Sequence, residues 1–218
     1  MSSSLILPIV FCILSIFSVG LVMVTHNIEK TTKTYFSLSI MTLVLWVLSV
    51  HFSNTSSSYA LLINRLAFFF PLLSLSFFSL FIGTAYGKDL EPAKEKTYDY
   101  LAIIFATFGS VISLSGLGVV KVNEKLGSTG LFQGYSIVPG SLYYLLLAIF
   151  ISSAICLGIR IVSTYRVAGG KRRDSLRTVI TGLAVAVPLS IVTNLIGPLV
   201  FSDSLVASTL SNLAIIFF

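Results

Sequence analysis

Arg166-Val167-Ala168-Gly169-Gly170-Lys171-Arg172-Arg173-Asp174-Ser175-Leu176-Arg177 packs five cations and one carboxylate into twelve residues. Apolar runs flank it on both sides, Leu142 to Ser163 before and Thr178 to Val200 after. A helix needs about 20 apolar residues to cross roughly 30 Å of hydrocarbon, and each run is long enough. A cationic connector between two such runs is the mark of a turn facing an anionic cytoplasmic leaflet. The rest of the chain falls into place around that turn.

Working outward, the same alternation yields seven spans. They run from about 5 to 24, 35 to 52, 61 to 86, 100 to 120, 142 to 163, 178 to 200 and 205 to 218. Span 1 lacks a basic leader and a small-residue cleavage site, so it reads as a retained helix and not a signal peptide. Span 7 would rise only about 21 Å as a helix, and a truncated last helix is expected. The fold class is therefore all-α: one integral membrane seven-helix bundle over 1–218, with no output domain. With the N-terminus outside and the C-terminus inside, the inner side holds Lys30, Lys33, Lys88, Lys94, Lys96, Arg160, Arg166, Lys171, Arg172, Arg173 and Arg177. The outer side keeps Arg65, Lys121 and Lys125. That is 11 of 14 basic residues inside, which selects this orientation and an inner (plasma) membrane location.

Composition points the same way. The 218 residues are 56% hydrophobic and 10% charged, with mean hydropathy +0.98, whereas soluble domains carry about 25% charged residues. The net charge of +6 belongs to connectors between spans, so nucleic acid is not the expected partner; the lipid bilayer is. Cys12 and Cys156 both lie in apolar spans and read as small buried hydrophobes. No metal-ligand cluster, GxSxG, HExxH or phosphate-binding loop occurs, so neither metal, cofactor nor catalytic residue is expected. All the carboxylates are expected to lie outside complete spans. The long connector from Lys121 to Gly140, with Gly127-Ser128-Thr129-Gly130 and Pro139-Gly140, reads as a glycine-rich outer loop.

Polar residues within spans are the candidates for function. Trp46, Arg65, Tyr143 and Asn194 fall at similar depth in the outer leaflet and mark a shallow ligand pocket open to the outside. Each also has a plainer reading. Trp46 and Tyr143 suit an interfacial aromatic belt, Arg65 can snorkel to the interface, and Asn194 can hydrogen-bond a neighbouring helix. His51 reads as interfacial. Pro71 and Pro188 are expected to kink their helices. The Phe68-Phe69-Phe70 and Phe77-Phe78 clusters read as lipid-facing or packing surface. The cytoplasmic basic loop comprises Arg166, Lys171, Arg172, Arg173 and Arg177.

Leu45-Trp46 in span 2, Ile63-Asn64-Arg65-Leu66 opening span 3, the aromatic run Phe68 to Phe81, the loop Gly130 to Tyr135, the basic Lys171–Arg177 turn, and Pro188 then Asn194 in span 6 form a spaced set. In that set the chain resembles the N-terminal seven-transmembrane sensor region of bacterial histidine kinases. The resemblance implies recognition of an external or membrane-borne cue, a small molecule or a lipid. It also implies relay through the last helix to a cytoplasmic kinase or cyclase, and a homodimer. The chain shows no phosphoacceptor-histidine helix, no ATP site and no other catalytic motif, and the resemblance implies that the kinase activity would belong to a full-length histidine kinase. The competing expectation is a small multi-pass transporter or permease-like protein.

Overall fold

The computed structural model describes residues 3–25, 28–53, 59–126 and 132–191. They form α1 (Ser3–Val24), α2 (Lys30–Ser53), α3 (Ala60–Tyr86), a single 3-10 turn at Gly87–Asp89, α4 (Pro92–Leu114), strands β1 (Val119–Leu126) and β2 (Phe132–Pro139), α5 (Tyr143–Val167) and α6 (Gly170–Ile191). Four of these helices, α2, α3, α4 and α5, are long and apolar enough to cross a membrane. The chain is thus a mostly helical, membrane-type protein. Span 7 at 205–218 and the end of span 6 lie outside the described residues.

Two expectations are corrected. Within a mostly helical fold, the connector expected to be a glycine-rich loop carries an antiparallel hairpin of β1 with β2, in register from Val119↔Pro139 to Leu126↔Phe132. Its strands read Val119-Val120-Lys121-Val122 and Tyr135-Ser136-Ile137-Val138, β-branched and aromatic stretches that suit a pleated ladder better than a coil. Span 4, expected at 100–120, is a helix over Pro92–Leu114 instead. Pro92 starts it at a position where no N–H is needed. Gly116 ends it, since its φ of +81° is open to glycine and strained for other residues. The shift draws Glu95 and Asp99 into the helix.

α3 packs against α2, α4 and α5 while α1 packs on α2. One end of the bundle carries the hairpin, and the other carries the α5–α6 turn; these are called here the hairpin end and the basic end. The buried stripe of α2 explains its packing. Thr32, Ser39, Trp46 and Ser53 recur every seven residues, with Thr42 and Ser49 between them, which is the 3–4 spacing of a left-handed helix seam. The seam is made of small hydroxyl residues while large apolar side chains such as Met41 and Phe52 face out. That inversion is how helices associate in lipid, where burying more apolar surface gains nothing and close backbone approach does.

At the centre of the seam Ser39 Oγ donates to Ser74 O at 3.2 Å and Ser74 Oγ donates to Ser39 O at 3.1 Å, a reciprocal clasp between α2 and α3. Farther along α3, the Ser76 hydroxyl lies 2.9 Å from both the Leu72 and Ala102 carbonyls and so reaches α4. Outside the helices at the basic end, Glu29 and Lys88 pair at 2.6 Å. The Lys88 hydrogen bond holds the Glu29 carboxyl below the usual carboxylate range. The Ser39→Leu variant forces a large side chain into the clasp and should destabilise the bundle by about 1–3 kcal/mol. Met41→Leu, on the exposed face, should be neutral; thermal unfolding in detergent compares the two.

A buried arginine junction as the candidate functional site

Cys156-Leu157-Gly158-Ile159-Arg160-Ile161-Val162 is an apolar stretch interrupted by a single cation. Arg160 lies seven residues before the end of α5, about 10 Å along the helix at 1.5 Å per residue. Its side chain is fully buried, at 0% exposure. It was expected to belong with the inner-loop cations, and the structure places it inside the bundle. A charge in that position has to be answered by the protein.

Two neighbouring helices supply the answer. Arg160 Nη1 lies 2.7 Å from Asp99 Oδ1 on α4 and donates to Ser79 Oγ on α3 at 3.1 Å. The guanidinium also sits 5.8 Å from the centre of the Tyr98 ring, in the range of a cation–π contact. The Tyr98 hydroxyl in turn reaches Ser163 Oγ at 3.3 Å, tying α4 to α5 a second time. Asp99 is 37% exposed, so the pair is asymmetric: the cation is dry and the anion is half wet. Nε and Nη2 of Arg160 find no acceptor among the described residues.

Gly83 makes the room. A Cβ added there would overlap Arg160 Nη2, so α3 admits the guanidinium only because this residue has no side chain. One turn away, Ser76, Ser79, Tyr98, Ser153 and Cys156 help to line a cavity of about 10 Å³, room for one water. On the other side of Arg160, its neighbour Ile161 joins Leu157, Ile82, Ala168 and Leu176 in a cluster that docks the start of α6 onto α3 and α5. The junction therefore touches every helix from α3 to α5 and is one residue removed from the contact that holds α6.

The residues expected to form an outer pocket are placed differently. Arg65 Nε donates to Val119 O at 3.0 Å and Nη1 to Leu114 O at 3.5 Å, while Ser113 Oγ donates back to Arg65 O at 2.7 Å. Its guanidinium thus caps the end of α4, whose last carbonyls lack helical partners, and pins the start of the hairpin. Tyr143 is buried, edge-on to Phe68 and Tyr144. Since Phe68 lies one turn from Arg65 on α3, the structure brings Arg65 and Tyr143 to the same corner. Trp46 is buried in the α2 seam, and Asn194 lies outside the described residues. Arg166, Lys171, Arg172, Arg173 and Arg177 are exposed around the α5–α6 turn. The two half-buried cysteines are free.

Arg160 was missed although a signal for it was present: a cation with no charged residue for five positions on either side does not belong to a loop. Asp99 was hidden by the misplaced start of span 4. Comparison with models of protein families, with curated proteins and with solved structures finds no match for this chain.

The asymmetry of the pair predicts unequal losses. Asp99→Asn strands a dry cation and should cost about 3 kcal/mol. Arg160→Met leaves a carboxylate that can hydrate and should cost about 1 kcal/mol or less; unfolding in mixed detergent measures both. Gly83→Ala would ordinarily gain up to about 1 kcal/mol of helix propensity. Here it should destabilise, whereas Gly158→Ala, with open space around its added methyl, should not. In an Arg160→Met background the Gly83→Ala penalty should shrink, and a double-mutant cycle reads that coupling.

Proposed function

We propose that the chain is the membrane-embedded signal-input domain of a two-component signalling protein, in which an external or membrane-borne cue repacks helices around Arg160. The observation that carries this reading is the half-satisfied buried ion pair joining α3, α4 and α5. A fully satisfied polar network rigidifies a core, whereas a partly satisfied one leaves alternatives of similar energy. Small rotations of α4 or α5 exchange the partners of the guanidinium, and a two-state element of that kind is what a cue can bias.

The full proposal keeps seven helices, with the hairpin end outside and the basic end in the cytoplasm of a plasma membrane. The skew of cations toward the α5–α6 turn supports that orientation. The Ile161–Leu176 contact gives a route from the junction into α6, and the output, a histidine kinase as the resemblance in sequence suggests, would follow span 7. The hairpin-end corner around Arg65 and Tyr143, with Trp46 and Asn194, is the proposed place for a ligand. A homodimer is part of the same proposal.

Cells carrying wild-type, deletion and Arg160→Gln alleles test it by transcript profiling across media that differ in osmolarity, pH and added membrane-fluidising alcohol. A confined set of transcripts should depend on the deletion, and Arg160→Gln should fix that set at one level in all media. Ser79→Ala, the milder change, should narrow the response if the first variant fails to accumulate in membranes. Transcripts indifferent to every allele, with uptake of a solute altered instead, would establish transport and defeat the sensor reading.

A further inference from the structure

The α5–α6 turn carries more positive charge than the protein itself neutralises. Arg166, Lys171, Arg172, Arg173 and Arg177 are all exposed, and Asp174 is the one carboxylate in the segment. Among the described residues the ion pairs are Lys88 with Glu29, Lys94 with Glu91 and Arg160 with Asp99, so Arg166, Lys171 and Arg177 have no carboxylate partner there. Lys171, Arg172 and Arg173 occupy the first turn of α6, which contains no acid. Cations there stand against the positive end of the helix dipole. Like charges packed on one turn repel, and the one carboxylate of the segment cannot neutralise five cations.

Compensation is available from the membrane. The turn lies where α5, a helix long and apolar enough to cross, reaches its end, so its side chains stand at headgroup level. Arg173 stacks over the Tyr165 ring at 4.8 Å, an aromatic–arginine pair of the kind that sits at a membrane interface. Stacking occupies the face of the guanidinium and leaves its N–H edge for a phosphate oxygen. We propose that this turn binds the phosphodiester headgroups of anionic phospholipids in the leaflet at the basic end. Bound lipid relieves the repulsion within the turn and stabilises the start of α6. Leu176, fully buried between Arg173 and Arg177, then carries that ordering into the cluster beside Arg160. The proposal rests on the chain's being membrane-embedded and stands apart from the signalling role.

The full chain reconstituted in phosphatidylcholine vesicles with a minor fraction of phosphatidylglycerol tests it. Electron paramagnetic resonance with spin-labelled lipid reads the fraction of each headgroup held at the protein surface. Wild-type protein should hold phosphatidylglycerol several-fold over phosphatidylcholine. The triple variant K171Q/R172Q/R173Q should bring that ratio close to one, whereas Lys121→Gln at the hairpin end should leave it unchanged. If the triple variant does not fold, the charge-preserving K171R/R172K/R173K variant should retain the preference, and rising sodium chloride should erode it in wild type. A preference that survives in the folded triple variant overturns the proposal. So does loss of the preference to inorganic phosphate but not to chloride of equal ionic strength, which would assign the turn to free phosphate.

Discussion

Arg160 has no route to water, and that single constraint shapes the middle of the molecule. A buried guanidinium can be tolerated only if opposite charge and hydrogen-bond acceptors reach it at short range. Asp99 supplies the charge from α4, Ser79 a hydroxyl from α3, and Tyr98 a ring face. The partners come from one turn of α4 and one of α3, so the register of three helices is set by where these groups must meet. Gly83 is part of the same requirement, because the guanidinium occupies the volume that any side chain there would fill. The pair is also incompletely answered: Asp99 keeps partial contact with solvent, and two guanidinium nitrogens lack acceptors among the described residues. Replacing the whole pair by apolar residues would be neutral or stabilising, so stability alone does not account for the junction.

The surrounding helices obey the logic of lipid as a solvent. In water, a seam of Thr32, Ser39, Thr42, Ser49 and Ser53 on the buried side of a helix would be a poor core. In a bilayer the exposed side is apolar at no cost, and short hydroxyl side chains allow backbones to approach and bond across, as Ser39 and Ser74 do. Arg65 applies the same rule at the hairpin end. The last carbonyls of α4 need donors, and a long side chain from α3 provides them. A ligand competing for that guanidinium would have to uncap α4, so binding there and the stability of the hairpin are linked.

Much of this was legible in the sequence, and the failures have identifiable causes. Apolar runs of about 20 residues located α2, α3 and α5 to within a few residues, because length and hydropathy are what the bilayer selects. Hydropathy gave the wrong limits for α4, since Leu117, Val119 and Val120 extend the apolar run past the point where Gly116 turns the chain. The hairpin was masked because its connector reads as a glycine-rich loop of low hydropathy; the alternation of Val120 and Val122 with Lys121 and Asn123, not mean hydropathy, was the signal there. Arg65 was singled out for its charge, but its partners are main-chain carbonyls, which carry no sequence signature. Arg160 was visible in type and misjudged in place, because counting cations toward a side of the membrane treats every one of them as a loop residue.

The two cationic features at the basic end differ in kind and for that reason can be coupled. Arg160 is a single charge whose partners are fixed by packing, and its energy changes steeply with small displacements. The turn bearing Lys171, Arg172 and Arg173 is a diffuse charge whose energy depends on the composition of the leaflet and on salt. Between them stand Ile161, which follows Arg160 in α5, and Leu176, which lies between the exposed arginines of α6; both pack into one apolar cluster with Ile82 and Leu157. Leu176 is fully buried, so α6 cannot move at the turn without disturbing that cluster, and the cluster cannot repack without moving the backbone that carries Arg160. On the proposed reading, a slowly varying field at the surface is thereby connected to the short-range Arg160 junction in the interior, through side chains too tightly packed to absorb the motion.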